Sequence, residues 1–206
     1  MSRPVPAPVP ASTEQVKLQS VEVLSDHWYI LRKVTFDLRR RDGQWQTLSR
    51  EAYDRGNGAA LLLYDPRRRT VVLTRQFRLP AFLNGSADGM LIETCAGLLD
   101  GDDPETCIRR EAEEETGYRV RQPRKVFEAY MSPGSVTEKL HFFVAEYEPQ
   151  DRIRTGGGLA HEGEDIEVIE MPLAEALAGI GSGVIEDGKT VMLLQHVALM
   201  LQEAAG

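Results

Sequence analysis

The sequence predicts an α+β fold preceded by an antiparallel β subdomain, and three observations carry that expectation. Short apolar and β-branched stretches recur along the chain with turn residues between them. Only three segments have helical length and periodicity. Hydrophobic residues make up 42% of 206 and charged residues 27%, enough to bury a sizeable core and too apolar for extensive disorder.

Prolines at positions 4, 6, 8 and 10 predict a disordered or polyproline arm over residues 1–14. Residues 15–55 read as a β subdomain. The pattern turns strand-like from Ser20, and Trp28, Ile30, Val34, Phe36 and Leu38 share one face of the stretch 28–38. Arg41-Asp42-Gly43 is the turn of a hairpin returning through Trp45 to Tyr53. In the remaining domain, 56–206, strands are expected at 59–64, 70–77, 90–93, 125–131, 140–147 and 166–171. A helix is predicted from Pro104 to Thr116, where Asp103 suits the cap, Pro104 the first turn and Gly117 the C′ position. Two more helices are expected over 173–180 and 189–202. Residues 150–163, with Gly156, Gly157 and Gly158, read as a mobile loop.

Charge and composition exclude several function classes. Twenty-four basic against 32 acidic residues give −8, the wrong sign for a general nucleic-acid binder. No apolar run approaches a membrane span, the longest plain one being 59–64, and the N-terminus lacks a secretory core. Cys95 and Cys107 cannot make a disulfide framework and read as small core residues. The expected protein is soluble and cytoplasmic. Its four histidines lack zinc spacing, and P-loop, nucleophile-elbow and dinucleotide-binding patterns are missing from the sequence.

The informative segment is GLLDGDDPETCIRREAEEETGY, from Gly97 to Tyr118. Seven acids and two arginines between Asp102 and Gly117 concentrate −5 of the net charge in one helix. A run of this kind is ordinarily a solvated face. Here Glu111, Glu114 and Glu115 stand at i, i+3 and i+4, so they project from one side and repel one another. Arg110 supplies part of the counter-charge, and a hard divalent cation such as Mg²⁺ would supply the rest.

Arg110 to Tyr118, REAEEETGY, resembles the second half of the Nudix box at every fixed position, and Gly97 matches its opening glycine. Asp103 departs from the usual glutamate, with six residues instead of seven before Arg110. Further stretches resemble the GDP-mannose pyrophosphatase branch, close to ADP-ribose pyrophosphatases: LSDHWYIL, REAYDRGNGA, RQFR, CAGLLD, YMSPGSVTEKLHFFVAEY, GEDIEV and DGKT. The resemblance implies a Nudix fold, with mixed sheets between helices, and a domain-swapped homodimer. It also implies hydrolysis of a nucleotide-sugar pyrophosphate, GDP-mannose giving GMP and mannose 1-phosphate, with Mg²⁺ or Mn²⁺ as cofactor. ADP-ribose hydrolysis is the alternative, and a non-catalytic nucleotide-sensing domain a more distant one.

Carried over residue by residue, the resemblance implies that Glu111, Glu115, the Ala96 carbonyl and Glu164 hold metal. Glu114 orients the site or reaches a metal through water, its alternative being a pair with Arg110. The general base is Glu164 or Glu162, on the glycine-rich loop. Substrate contacts are implied for Trp28 (stacking on the base, or alternatively a buried strand residue), Arg78, Gly97, Glu138 and Lys189. Ser49, Arg50 and Glu51 would reach the substrate from the partner subunit.

Overall fold

The computed structural model describes residues 9–204; the first eight residues of the proline arm lie outside them. Ten strands and four α-helices are assigned among these residues. A three-stranded antiparallel sheet comprises β1 (Val16–Asp26), β2 (Ile30–Arg39) and β3 (Trp45–Asp54), in that order. The β1 start is set by hydroxyls: Thr13 Oγ1 accepts from the Gln15 and Val16 amides, and Ser12 Oγ from Leu18 N–H. The strand therefore begins four residues before the position expected from its apolar pattern. β1 also carries register shifts between Leu18 and Ser20 and between Val23 and Ser25.

The second sheet has seven strands: β4 (Gly58–Asp65), β5 (Thr70–Phe77), β6 (Met90–Glu93), β7 (Cys95–Leu98), β8 (Arg124–Tyr130), β9 (Lys139–Glu146) and β10 (Glu167–Pro172). Its path is β10-β5-β4-β9-β8, with β6 paired to β5 and β7 to β4. The apolar run of β4 is buried along its whole length, as a central strand covered on both faces requires. Leu61, Leu62, Leu63, Val71, Leu73, Phe142 and Val144 form the core with Ile108, Leu193, Leu194 and Val197.

The helices are α1 (Leu79–Leu83), α2 (Pro104–Glu111), α3 (Leu173–Ser182) and α4 (Gly188–Glu203). The three expected helices are present. α1 is a single short turn with no periodic signal, and β7 is only four residues long, so neither stood out in the sequence. The helix expected to run regularly to Thr116 instead changes after Glu111 into a π turn, Ala112–Thr116, closed by Gly117 at φ 79°.

The chain divides into two compact units. Among the described residues, one gathers those up to Gly58 with Leu98–Gly101 and Ala129–Leu140; the other holds Ala59–Gly97, Asp102–Glu128 and those from His141 onward. No helix among the described residues is long and apolar enough to cross a membrane.

Candidate active site

The helix that presents the carboxylates starts on a strong cap. Asp103 accepts from the Glu105 and Thr106 amides, both at 3.1 Å, and its carboxyl is held below the usual range first by the Thr106 side chain and then by these amides. An aspartate reaches these donors from the N-cap position, giving the unusual residue of the box a structural role.

Two glycines then allow the carboxylates to crowd against backbone. A Cβ on Gly97 in β7 would lie 2.2 Å from Glu111 Cδ, so the strand is bare where Glu111 rests on it. A Cβ on Gly158 would lie 2.5 Å from Glu164 Oε2, and Gly158 has φ +75°. Glu164 Oε2 accepts from Leu159 N–H at 2.8 Å. The loop is joined directly to the carboxylate helix: Gly157 N–H donates to the Glu115 carbonyl at 2.9 Å and Gly158 N–H to that of Glu114 at 3.1 Å. These are helix-end carbonyls that need partners. The glycine triplet is thus a close-packed seam; its spacing in the sequence signalled only a loop.

Glu115 is 3% exposed and accepts from Ala96 N–H at 3.3 Å. Burial pushes its carboxyl up to about 8, against the Cys95 hydrogen bond, with Glu111 and Glu164 adding repulsion. Glu111 is raised to about 7, again chiefly by burial, while Arg110 opposes the rise and Glu114 and Glu164 reinforce it. Arg110 Nη1 lies 2.9 Å from Glu111 Oε1 and 3.2 Å from Glu114 Oε2. Glu114 therefore does pair with Arg110. Glu115 is a buried acid, so the ordinary reading of such a run as a solvated face does not hold for it.

No three His, Cys, Asp or Glu side chains among the described residues already converge as a metal cage. Glu164 is turned to a backbone amide and Glu111 to Arg110. Their chemistry nevertheless fits a hard divalent cation: oxygen donors only, with buried negative charge that the protein itself under-compensates.

In the same unit Glu93 of β6, absent from the sequence expectations, is 3% exposed and joins two residues that were expected. Its Oε2 lies 2.7 Å from Arg78 Nε and its Oε1 2.6 Å from Lys189 Nζ. Lys189 also meets Asp187 at 2.8 Å, and Asp187 caps α4 through Thr190 N–H at 2.9 Å. An isolated glutamate in an apolar strand offers no sequence signal that two cations will meet it.

The other expected contacts belong to the first unit. Trp28 sits in the bend before β2 and is 64% exposed, which overturns its reading as a buried strand residue. Its ring meets Tyr29 edge-on at 6.1 Å; Arg55 lies over Tyr29 at 5.5 Å and pairs with buried Glu138 at 3.3 Å. Ser49, Arg50 and Glu51 are exposed on β3. Ser49 Oγ bonds Thr35 Oγ1 at 2.8 Å, and Arg50 Nη1 donates to the Ser49 carbonyl at 2.8 Å. The Glu162 side chain lies outside the described residues.

Known proteins resemble the chain over most of its length. Residues 15–53 match the model of the GDP-mannose pyrophosphatase NudK N-terminal domain, and 54–194 match the NUDIX domain. GDP-mannose pyrophosphatase from Cronobacter sakazakii is 56% identical over 184 residues, 89% of this chain and 95% of that protein. The Escherichia coli O157:H7 protein of the same name is 54% identical over 187 residues, 91% and 97% of the two chains. A crystal structure of an ADP compounds hydrolase shares the fold at TM-score 0.68 and 18% identity, covering 95% of this chain and 98% of its own. With a capped helix carrying the box carboxylates, a bare strand glycine beneath them and a family match spanning most of the sequence, the chain belongs to the Nudix hydrolase family.

Proposed function

We propose that the protein hydrolyses the pyrophosphate bond of a nucleotide sugar in a Mg²⁺-dependent reaction, with GDP-mannose as substrate and GMP and mannose 1-phosphate as products. The observation that carries this reading is the under-compensated cluster of Glu111, Glu115 and Glu164 beside Ala96 and Gly97. The choice of sugar nucleotide rests on the names of relatives aligned over about nine-tenths of the chain.

Glu111, Glu115, Glu164 and the Ala96 backbone would hold the cation. When bound, Mg²⁺ supplies positive charge that offsets the diphosphate and makes water more acidic. Water adds through its oxygen to one phosphorus, the bridging P–O bond breaks, and both products leave as phosphate monoesters. Glu164, or Glu162 on the same loop, accepts the water proton at a carboxylate oxygen. Arg78 places guanidinium N–H groups on the diphosphate. Trp28 offers an open aromatic face for the base, and Glu138 stands at the hexose.

The working form is a homodimer. Val21, Val23 and Leu24 are exposed on β1, and Trp45 is exposed on the face of the sheet opposite Val21 and Val23, apolar residues that a second copy would cover. Ser49, Arg50 and Glu51 on that sheet would then serve the partner's substrate. The enzyme acts in the cytoplasm on a small molecule.

The test is hydrolysis of GDP-mannose and ADP-ribose by one preparation in ¹⁸O-labelled water, with Mg²⁺, Mn²⁺ or excess chelator. Label in GMP or mannose 1-phosphate, and silence with chelator, are expected. GDP with free mannose overturns pyrophosphate cleavage. A tenfold higher kcat/KM on ADP-ribose, about 1.4 kcal/mol, moves the substrate while leaving the metal site standing.

A further inference from the structure

We propose that Glu93 is a positioning residue that joins Arg78 and Lys189 into one preset cationic clamp for the substrate's diphosphate. The inference rests on the nucleotide-sugar reading above and adds a residue to it.

The clamp has a buried base and an open head. Glu93 is almost wholly enclosed, and each of its oxygens is committed to a different cation, Oε2 to Arg78 and Oε1 to Lys189. A buried carboxylate needs such partners, and these two cations would repel each other without it. Arg78 makes its bond through Nε alone. Its side chain is 39% exposed, and no bond from either Nη amine is formed among the described residues. The guanidinium is planar, so fixing the Nε edge also fixes the plane in which the outer amines present themselves.

Lys189 stands differently. It is 12% exposed, with Nζ held by Glu93 and Asp187, so it has one N–H left for a ligand. Its larger contribution is charge beneath the guanidinium.

Backbone bonds hold all three in place. Glu93 is paired with Thr74 across β5 and β6, and its carbonyl accepts from Thr74 Oγ1 at 3.2 Å. Arg78 N–H donates to the Gly89 carbonyl at 2.8 Å. Lys189 lies in the first turn of α4, whose Thr190 Oγ1 accepts from Thr94 N–H, one residue beyond Glu93, at 2.7 Å. Three residues beyond Glu93, Ala96 N–H donates to Glu115 Oε2 at 3.3 Å, which ties the chain next to the clamp to the carboxylate cluster. An arginine ordered before binding loses less side-chain freedom when phosphate arrives.

The test compares wild type, Glu93→Gln, Arg78→Ala and the double variant. Calorimetric GDP affinity is measured in chelator, and KM and kcat for GDP-mannose are measured with Mg²⁺. Glu93→Gln is expected to weaken GDP binding and raise KM about tenfold, or about 1.4 kcal/mol, with kcat within about threefold. In the Arg78→Ala background the same change should add less than about twofold, because the clamp is already gone. GDP affinity and KM within about twofold of wild type, or independent losses in the double variant, would overturn the proposal. Should Glu93→Gln fail to fold, Arg78→Lys decides: it keeps the pair and the charge but lacks the outer amines. A tenfold loss of GDP affinity supports the clamp, and wild-type affinity rejects it. A wild-type protein that neither binds GDP nor hydrolyses a nucleotide sugar would instead sink the functional reading itself, and the clamp with it.

Discussion

β4 and β1 are both strands with several large apolar residues, and they meet opposite fates. All eight residues of β4 are buried, whereas in β1 Val21, Val23 and Leu24 are exposed, Val23 at 57%. Strand propensity is satisfied in both; what differs is cover. The β4 run GAALLLYD has no polar face until its end, so it must lie inside a sheet layered on both sides. VKLQSVEVLSD interleaves polar residues and is exposed without a break from Gln19 to Leu24. The contrast separates a strand enclosed within one chain from an exposed strand on which the proposed dimer rests.

The enclosed region is broken hardest at its buried acid. Glu115→Gln should lower kcat on the order of 10³-fold, about 4 kcal/mol, with circular dichroism unchanged. A loss below tenfold would remove Glu115 from the proposed ligands. Gly97→Ala should follow with about 10²-fold loss of kcat, since the new methyl displaces Glu111 by an ångström or more. Activity within threefold of wild type would mean that Glu111 needs no fixed place.

The open region is sharpened by mass. Light scattering should give twice 23.0 kDa at micromolar concentration, and Val23→Asp should shift the population toward one chain. A single-chain mass for wild type would leave the apolar face without its proposed partner.

A smaller effect appears in the pH dependence of metal-free stability. Glu115 and Glu111 are raised to about 8 and about 7 in the folded state. Below the ordinary glutamate range both states hold these protons. As pH rises, the unfolded chain releases them first, so stability is lost through the window up to about 8. The melting temperature of metal-free protein should therefore fall from about pH 5 to about pH 8.5. Glu115→Gln should flatten that fall, and Mg²⁺ should do the same for wild type. A rising melting temperature would contradict the burial of both acids.

The helix was legible because its evidence is local: Asp103 and Pro104 at one end, Gly117 at the other, and carboxylates at helical spacing between. Most strands were legible from their apolar runs, the four-residue β7 excepted. The Glu93 clamp and the seam from Gly157 and Gly158 to the helix carbonyls were not, since each joins residues far apart in sequence through contacts that no periodicity records. Trp28 shows the same limit from the other side. Its alternation with Ile30 suggested a shared strand face, but the chain bends there and leaves the ring in solvent.

The π turn has a consequence for how this chain can change length. Ala112–Thr116 winds more widely than a regular helix, and the carbonyls of Glu114 and Glu115 receive the loop amides there. Deleting one residue from that turn would tighten it toward a regular helix, moving the Glu114 and Glu115 carbonyls away from the loop amides and pulling the loop out of register. Between Leu159 and Gly163 the chain returns on itself beside the Glu164 anchor, where extra residues can bulge outward without moving either end. Descendants of this sequence can therefore gain or lose residues in the loop tip while the helix end keeps its count.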